Sequence, residues 1–204
     1  MSLRLDGNGK TDASEMSELL LSPTSIWCSS QVLAQPSPVP EAEGIYAWYF
    51  RELPPAVPHG CAPEFQGLQL LYIGISPAYE GSSNNLRKRI RTHFNGNASS
   101  STLRLTLGCL LANKLGLVLQ LTGRTERLTY GEGEVELSAW LKANAYVAWF
   151  KHKQPWSIED RIIHEVSPLL NLQHNKESVF YSELSGIRHR SISNARAGYR
   201  LYNA

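Results

Sequence analysis

A basic helix that follows an apolar run presents two chemically useful side chains on one face. The run Leu68–Ile75 enters a polar turn, and residues 84–95 then carry helix signals, with cap residues at the start and Gly96 at the end. Arg89 and His93 lie four residues apart in this helix, so they stack on the same face. A guanidinium can hold a phosphate, and an imidazole can move a proton at neutral pH.

Two tyrosines lie on short strands that precede this helix. The aromatic and β-branched composition of Gly44–Phe50 predicts a strand that carries Tyr46, and Leu68–Ile75 predicts a second strand that carries Tyr72. We expect the two strands to pair as a hairpin with a long loop. The period of two places Leu70, Tyr72 and Gly74 on one face, and Leu71, Ile73 and Ile75 on the other.

A carboxylate occupies the apolar arc of a later helix, Ser157–Val166. Ser157 and Asp160 have the spacing of a capping box, and Ile158, Ile162, Ile163 and Val166 define the buried face. Glu159 falls inside that arc, whereas the other acidic residues of the helix, Asp160 and Glu165, fall outside it. A carboxylate on an apolar face is costly unless a partner compensates its charge.

These residue types suit the hydrolysis of a phosphodiester bond. That reaction needs an activated water, a stabilised phosphate, an assisted leaving oxygen and, in most enzymes, a divalent metal. Tyr46, Tyr72 and His93 are suited to proton transfer, and Arg89 is suited to the phosphate. Glu159 is the hard oxygen ligand that Mg²⁺ or Mn²⁺ prefers.

The motifs in order resemble the GIY-YIG nuclease family. Gly44-Ile45-Tyr46 comes first, then Tyr72-Ile73-Gly74, then Arg-x-x-x-His at residues 89–93. Glu159 is followed by Ile162-Ile163 and by Pro168-x-x-Asn171, the order and spacing found around the family's metal-binding glutamate. The resemblance covers residues 43–173. It implies an α+β fold, with a small three-stranded antiparallel sheet flanked by helices.

The resemblance also implies roles for the matched residues. Tyr46 would act as, or help to form, the base that deprotonates the water, with assistance from His93. Tyr72 would position the water or the phosphate, and either tyrosine could be the actual base. Arg89 would hold the scissile phosphate. Glu159 would bind one Mg²⁺ or Mn²⁺ that stabilises the leaving 3′ oxygen, and Asn171 would brace the site.

DNA is the substrate that the resemblance favours, and RNA remains open. The basic residues Arg87, Lys88 and Arg91 on the same helix as Arg89 are candidate contacts to the phosphate backbone. Restriction, repair and mobile-element roles are all compatible with the sequence. A nuclease that reads a palindrome would be expected to form a homodimer.

The organisation of the 204 residues predicts one catalytic domain with two extensions. The predicted limits are an irregular N-terminal extension at 1–43, the catalytic domain at 44–173, and a basic C-terminal extension at 174–204. Prolines in residues 53–67 predict a loop insertion between the two tyrosine strands, which could contact DNA or decorate the surface. Residues 101–121 and 132–144 read as helices, and Tyr146–Phe150 reads as a third strand.

Composition limits the alternatives. A net charge of +2 confines any nucleic-acid surface to a local patch, and the chain has no apolar run long enough to span a membrane. Cys28, Cys61 and Cys109 form neither a disulfide framework nor a zinc site, which favours a reducing, cytoplasmic setting. Two other functions remain open: a non-catalytic nucleic-acid-binding module on the same fold, and a small-molecule phosphodiesterase or interaction domain.

Overall fold

Helices and strands alternate irregularly along the chain, as expected for an α+β protein. The computed structural model describes residues 13–123 and 126–202, with side chains described up to Tyr199. The elements are α1 (Ala13–Leu21), β1 (Trp27–Cys28), α2 (Ser29–Val32), β2 (Gly44–Phe50), β3 (Glu64–Phe65), β4 (Leu68–Ser76), α3 (Leu86–Asn95), α4 (Thr102–Leu110), α5 (Ala112–Leu115), β5 (Gln120–Thr122), β6 (Arg127–Thr129), α6 (Gly133–Asn144), β7 (Ala145–Lys151), α7 (Glu159–Val166) and α8 (Tyr181–Tyr202).

An antiparallel sheet in the order β1-β7-β2-β4-β3 forms the centre of the fold. Its three long strands, β7, β2 and β4, are the three that the sequence predicts, and helices flank them, so the predicted fold class is confirmed. The sheet has five strands rather than three, because β1 and β3 add one short strand to each edge. Each of these strands has only two residues, too few for a period of two to be visible.

A bulge in β4 corrects the predicted faces of that strand. The pairing with β2 shifts between Trp48 and Tyr49, so Trp48 lies opposite Tyr72 and Tyr49 lies opposite Leu70. The extra residue is Leu71, which packs on the same side as Tyr72, whereas Leu70 packs with Ile73 and Ile75. The prediction that Leu71 shares a face with Ile73 was therefore wrong, because an inserted residue breaks the strict alternation of a strand.

The two faces of the sheet bury different sets of side chains. On one face Tyr46, Trp48 and Phe50 pack against residues of α3, α4, α6 and α8. On the other face Ile45, Ala47 and Tyr49 pack against α1 and α7. The N-terminal arm also docks on the sheet through β1, where Trp27 stacks on Trp149 with ring centroids 5.5 Å apart. The part of the predicted N-terminal extension before Ala13 lies outside the described residues.

The proline-rich insertion between β2 and β4 is packed rather than purely decorative. Pro54 and Val57 are buried, and Val57 belongs to the core cluster that contains Tyr46. Glu64 and Phe65 form β3, which pairs with the start of β4. The insertion therefore adds to the hydrophobic core and extends the sheet.

Two further segments differ from the sequence-based expectation. The helix expected over residues 101–121 ends as α4 at Leu110 and continues only through the short α5, because Gly116 adopts a left-handed conformation with φ 65°. Gln120–Thr122 and Arg127–Thr129 then pair as the separate antiparallel strands β5 and β6. The C-terminal segment, expected to be a partly wrapped extension, forms the 22-residue helix α8. Among the described residues, no helix is long and apolar enough to cross a membrane.

Candidate active site

Gly44 and Gly74 lack the side chains that would prevent close packing of the central strands around Tyr46. Tyr46 on β2 lies opposite Gly74 on β4, and a Cβ at residue 74 would overlap the Tyr46 hydroxyl. A Cβ at Gly44 would overlap the carbonyl oxygen of Phe150 on the neighbouring strand β7. The phenol of Tyr46 therefore occupies the space that the missing side chain of Gly74 leaves.

A chain of hydrogen bonds links Tyr46, His93 and Ser101. The distance from Tyr46 Oη to His93 Nε2 is 2.7 Å, and His93 Nδ1 lies 2.7 Å from Ser101 Oγ. All three side chains are almost completely buried. The helix α3 delivers His93 to this position because its apolar residues Leu86, Ile90 and Phe94 pack into the core. The imidazole thus bridges the central strand and the start of α4.

Ser101 is a site residue that sequence reasoning missed. It is the N-cap of α4, where its hydroxyl accepts a hydrogen bond from the backbone N–H of Arg104 at 3.1 Å. The available signal was a serine at the start of a helical pattern, but nothing in the sequence links that position to His93. Trp48 was also missed, and its ring meets His93 edge-on with centroids 5.6 Å apart.

Burial sets the protonation states of His93 and Tyr46. Burial, together with the positive charges of Arg89 and Arg104, holds the pKa of His93 well below its usual range, so the imidazole is neutral. Burial raises the pKa of Tyr46, although the nearby Arg89 acts in the opposite direction, so the phenol is protonated at neutral pH. A neutral imidazole has one donor and one acceptor nitrogen. Arg89 Nε already donates to Tyr46 Oη, so the tautomer that also gives the phenol proton an acceptor is the one in which Tyr46 donates to Nε2 and Nδ1–H donates to Ser101.

Arg89 lies beside both tyrosines. Its Nε donates to Tyr46 Oη at 3.3 Å, and its Nη1 donates to the carbonyl oxygen of Ser100 at 2.8 Å. Burial alone would lower the pKa of Arg89, but Tyr46 and Tyr72 outweigh it and raise that pKa. The guanidinium is thus a fixed positive charge at the phenol oxygens, in a position to compensate negative charge that develops there.

Tyr72 completes the aromatic wall of the site. It is 8% exposed, and its ring lies edge-on to His93 with centroids 6.0 Å apart. Burial raises the pKa of its phenol, and Tyr46 raises it further. Both tyrosines are therefore protonated at neutral pH, but only Tyr46 is hydrogen-bonded to the imidazole in this structure.

Asn171 fixes the strand that carries Tyr72 and Gly74. Its side chain is buried, its Nδ2 donates to the carbonyl oxygen of Ile73 at 2.8 Å, and its Oδ1 accepts from the N–H of Ile73 at 3.0 Å. Ile73 is the residue between Tyr72 and Gly74, so this two-point contact restrains the backbone of the second motif.

Glu159 is the first residue of α7, which begins later than predicted. Ser157 lies in a 3₁₀ turn, Pro155–Ser157, and its hydroxyl donates to Gln154. The N-cap of α7 is Ile158, without a side-chain hydrogen bond, so the capping box predicted for Ser157 and Asp160 does not form. The reason is that the preceding proline starts a tighter turn before the helix begins.

The carboxylate of Glu159 interacts electrostatically with Tyr46, Tyr72 and Arg89. Burial raises its pKa, with Asp160 adding to the rise, while His174 and Arg89 oppose it. Its negative charge in turn contributes to the raised pKa of both Tyr46 and Tyr72. The distance from His174 Nε2 to Asp160 Oδ1 is 3.1 Å. His174 thus lies near the acidic start of α7.

The residues fit a divalent cation held mainly by the substrate. Within residues 13–123 and 126–202, His, Cys, Asp and Glu side chains form no group of three or more that could hold a metal. Mg²⁺ commonly binds through one or two carboxylates, several waters and the phosphate oxygens of the substrate, rather than in an all-protein cage. A single half-buried carboxylate beside Arg89 matches that donor set.

The three other basic residues of α3 have different surroundings. Arg87 donates to the carbonyl oxygen of Val39 and forms an ion pair with Glu41 at 2.6 Å, which ties α3 to the N-terminal arm. The exposed Lys88 donates to the carbonyl oxygen of Ser83 at 3.0 Å. Arg91 is half-buried, and its Nε is buried without a hydrogen-bond partner among the described residues.

The chain belongs to the GIY-YIG family. The family model of the GIY-YIG catalytic domain matches residues 44–190, more than half of the chain. This match begins at the first motif glycine and includes the first half of α8, beyond the residues that carry the sequence resemblance. No curated protein matches the chain significantly, and no solved structure does. Membership of this family supports a nuclease-type function that acts on nucleic acids.

Proposed function

We propose that this protein is a metal-dependent endonuclease that hydrolyses phosphodiester bonds in DNA. The observation that carries the proposal is the hydrogen bond between Tyr46 and a buried neutral His93, formed beside Arg89 and within the field of Glu159. A phenol, an imidazole, a guanidinium and a carboxylate at one place supply the groups that the hydrolysis of a phosphodiester requires.

The proton path runs from the attacking water through Tyr46 to His93. A phenol with a raised pKa is a weak base by itself, because it is protonated at neutral pH. As the water attacks phosphorus, its proton passes to Tyr46 Oη while the phenol proton passes to Nε2 of His93. Arg89 stabilises negative charge at Tyr46 Oη during this exchange, and Ser101 holds the ring in the required tautomer.

The remaining residues bind and orient the substrate. Arg89 holds the scissile phosphate, and Tyr72 positions the phosphate or the water from the adjacent strand. Glu159 would hold Mg²⁺ or Mn²⁺, and that ion would supply Lewis-acid stabilisation of the leaving 3′ oxygen. Asn171 restrains Ile73 and thereby the placement of Tyr72.

The decisive experiment is a cleavage panel with Glu159→Gln. The wild type and the variant are each incubated with plasmid, branched DNA, single-stranded DNA and structured RNA. Each incubation contains Mg²⁺, Mn²⁺ or a chelator. Glu165→Gln is the matched control, because it changes a carboxylate on the same helix that hydrogen-bonds to Ser17, away from the tyrosines. We expect metal-dependent cutting of DNA that the control retains and the Glu159 variant loses.

Other outcomes would replace the proposal. Equal cutting by the Glu159 variant would show that this carboxylate is not the metal ligand. Preferential cutting of structured RNA would change the substrate class. Binding of nucleic acid without cutting by the wild type would favour a non-catalytic binding module on this fold.

A further inference from the structure

Among the described side chains of the C-terminal helix α8, Arg188 lies on the buried face. This helix packs against α4 and β5. Its inward side chains follow the helical repeat and are mostly apolar: Leu184, Ile187, Ile192 and Ala195. Arg188 lies one turn after Leu184 and one turn before Ile192, so it falls on the same face and is half-buried there. A charged group in that position is costly unless something compensates it.

Nothing in the described part of the chain compensates Arg188. Across residues 13–123 and 126–199, no carboxylate forms an ion pair with it, and its Nε is buried without a hydrogen-bond partner. The fully buried Arg104 shows the contrast, because its guanidinium donates to the Glu134 carboxylate, to the Ser138 hydroxyl and to the backbone carbonyl oxygens of His93, Phe94 and Glu134. The guanidinium of Arg188 therefore has hydrogen-bond donors that remain available, on the face of α8 that is otherwise packed with apolar side chains.

The face of α8 that carries Arg188 is turned toward the tyrosines, because Leu184, one turn before Arg188, belongs to the same hydrophobic cluster as Tyr72 and Tyr130. Burial raises the pKa of Tyr72 and of Tyr130, and the positive charge of Arg188 opposes both rises. Arg89 also acts on Tyr72, whereas Tyr130 is bonded to α4 through the carbonyl oxygen of Leu105. Tyr72 is thus the active-site phenol whose pKa is lowered by two arginines, Arg89 on α3 and Arg188 on α8.

We propose that Arg188 binds a backbone phosphate of the substrate, next to the scissile phosphate, on the Tyr72 side of the active site. The inference rests on the proposed function, because it assumes a nucleic acid bound at the Tyr46–His93 site. A guanidinium presents donors in a planar fork that matches phosphate oxygens, and a phosphate would compensate a charge that the protein leaves unpaired. The helix α8 then lies beside the bound nucleic acid. The contact with Arg188 fixes which phosphate of the substrate strand is placed for cleavage.

The first test measures binding and its salt dependence for Arg188→Met. Met keeps the unbranched apolar stem on the packed face and removes the charge. Arg196→Met is the matched control, since Arg196 is an exposed arginine two turns further along α8. The probe is the member of the cleavage panel that the wild type binds most tightly, labelled with a fluorophore and titrated in chelator at several salt concentrations.

We expect Arg188→Met to weaken binding about 10-fold, the scale of one charge-assisted hydrogen bond. The slope of log affinity against log salt should decrease by about one, because one phosphate contact is lost. In cleavage assays the loss should appear in KM, with a much smaller change in kcat. Arg188→Lys should restore the salt slope, because it restores the charge. Equal slopes for Arg188→Met and Arg196→Met would overturn the inference.

A methylphosphonate scan of the substrate locates the contact. Each phosphate near the cut is replaced in turn by an uncharged methylphosphonate, and affinity is measured for the wild type and Arg188→Met. The inference expects one flanking position at which the replacement weakens the wild type about 10-fold and leaves the variant unchanged. Additive effects at every position would show that Arg188 touches no phosphate. Should Arg188→Met not fold, Arg188→Gln enters the same cycle.

These outcomes separate this inference from the proposed nuclease activity. Cutting by the wild type, with identical binding by Arg188→Met and Arg196→Met, overturns only the role of Arg188. Binding without cutting by the wild type overturns the nuclease, while the methylphosphonate cycle still decides on Arg188. A wild type that neither binds nor cuts any nucleic acid overturns both.

Discussion

At the scale of single residues, the site depends on two groups that burial keeps uncharged. His93 has a pKa held well below its usual range, and Tyr46 has a raised pKa. A neutral imidazole and a protonated phenol that share a hydrogen bond can exchange a proton without either ion existing before the water attacks. Arg89 supplies the fixed charge that stabilises the transient ion.

The buried imidazole predicts a stability that depends on pH. In the unfolded chain the pKa of His93 is about 6.5, whereas in the folded protein it is lower, so below pH 6.5 the unfolded state binds more protons. The contribution of the neutral His93 to the free energy of unfolding is complete above pH 6.5. It is lost as the pH falls toward the pKa of His93 in the folded protein, by up to about 1.4 kcal/mol per pH unit.

His93→Gln removes this group and should flatten that dependence. We expect the difference in unfolding free energy between wild type and His93→Gln to shrink between pH 7 and pH 5, measured by urea denaturation. Tyr46, Arg89 and Arg104 face the ring and remain in both proteins. A difference that stays constant over this range would contradict a neutral buried His93.

Tyr46→Phe separates the chemistry of the phenol from its packing. The variant keeps the ring and loses the hydroxyl, so we expect kcat to fall by about 100-fold or more. Tyr49→Phe is the control on the same strand, because its hydroxyl donates to Leu20 on the opposite face. A loss of equal size in both variants, measured by single-turnover cleavage, would indicate destabilisation instead of lost proton transfer.

At the scale of elements, Arg104 joins three helices behind the site. Its guanidinium donates to the carbonyl oxygens of His93 and Phe94 at the end of α3 and pairs with Glu134 on α6 at 2.6 Å. Its backbone N–H is capped by Ser101 at the start of α4. The position of His93 therefore depends on this buried cation as well as on its own helix.

Arg104→Met should destabilise the protein by about 3–5 kcal/mol, because it leaves the largely buried Glu134 without its partner. Arg87→Met is the control, since it breaks the partly exposed pair with Glu41 and should cost about 1 kcal/mol or less. Chemical denaturation measures both variants. Similar small losses in the two would show that the Arg104 pair is not structurally important.

At the scale of the whole molecule, the C-terminal helix is part of the core. Phe180, Leu184 and Ala195 belong to the same cluster as Tyr46 and Tyr72. The family match extends to residue 190, well into α8. A chain that ends at residue 173 would expose the surface that these side chains cover.

Leu184→Ala should therefore lower the unfolding free energy by about 2–5 kcal/mol, as for other buried leucines. Val179→Ala is the control, because Val179 is 77% exposed and should change stability by about 0.5 kcal/mol or less. Thermal or urea denaturation distinguishes the two. A negligible effect of Leu184→Ala would mean that α8 is only loosely attached.

The sequence by itself determined the family and the three long strands. Motif residues recur at fixed spacing, and strand composition and the helical repeat are local properties that a single chain displays. In the structure Tyr46, Tyr72, Arg89 and His93 lie together, and Asn171 hydrogen-bonds to the backbone of Ile73. The charge of Glu159 affects the pKa of both tyrosines. The catalytic roles of these residues stay predictions that the experiments above test.

Only the tertiary structure decided the bulge at Leu71, the edge strands β1 and β3, the pairing of β5 with β6, and the helix α8. It also decided that Ser101, Trp48 and Gly74 surround the Tyr46–His93 pair and that Arg188 lies half-buried on the packed face of α8. The bulge, the edge strands and the packing of α8 depend on contacts between residues far apart in the chain, whereas the β5–β6 pairing and the Ser101–His93 contact are more local. Periodicity and motif spacing carry no information on such contacts, because they describe neighbours along the sequence and not neighbours in space.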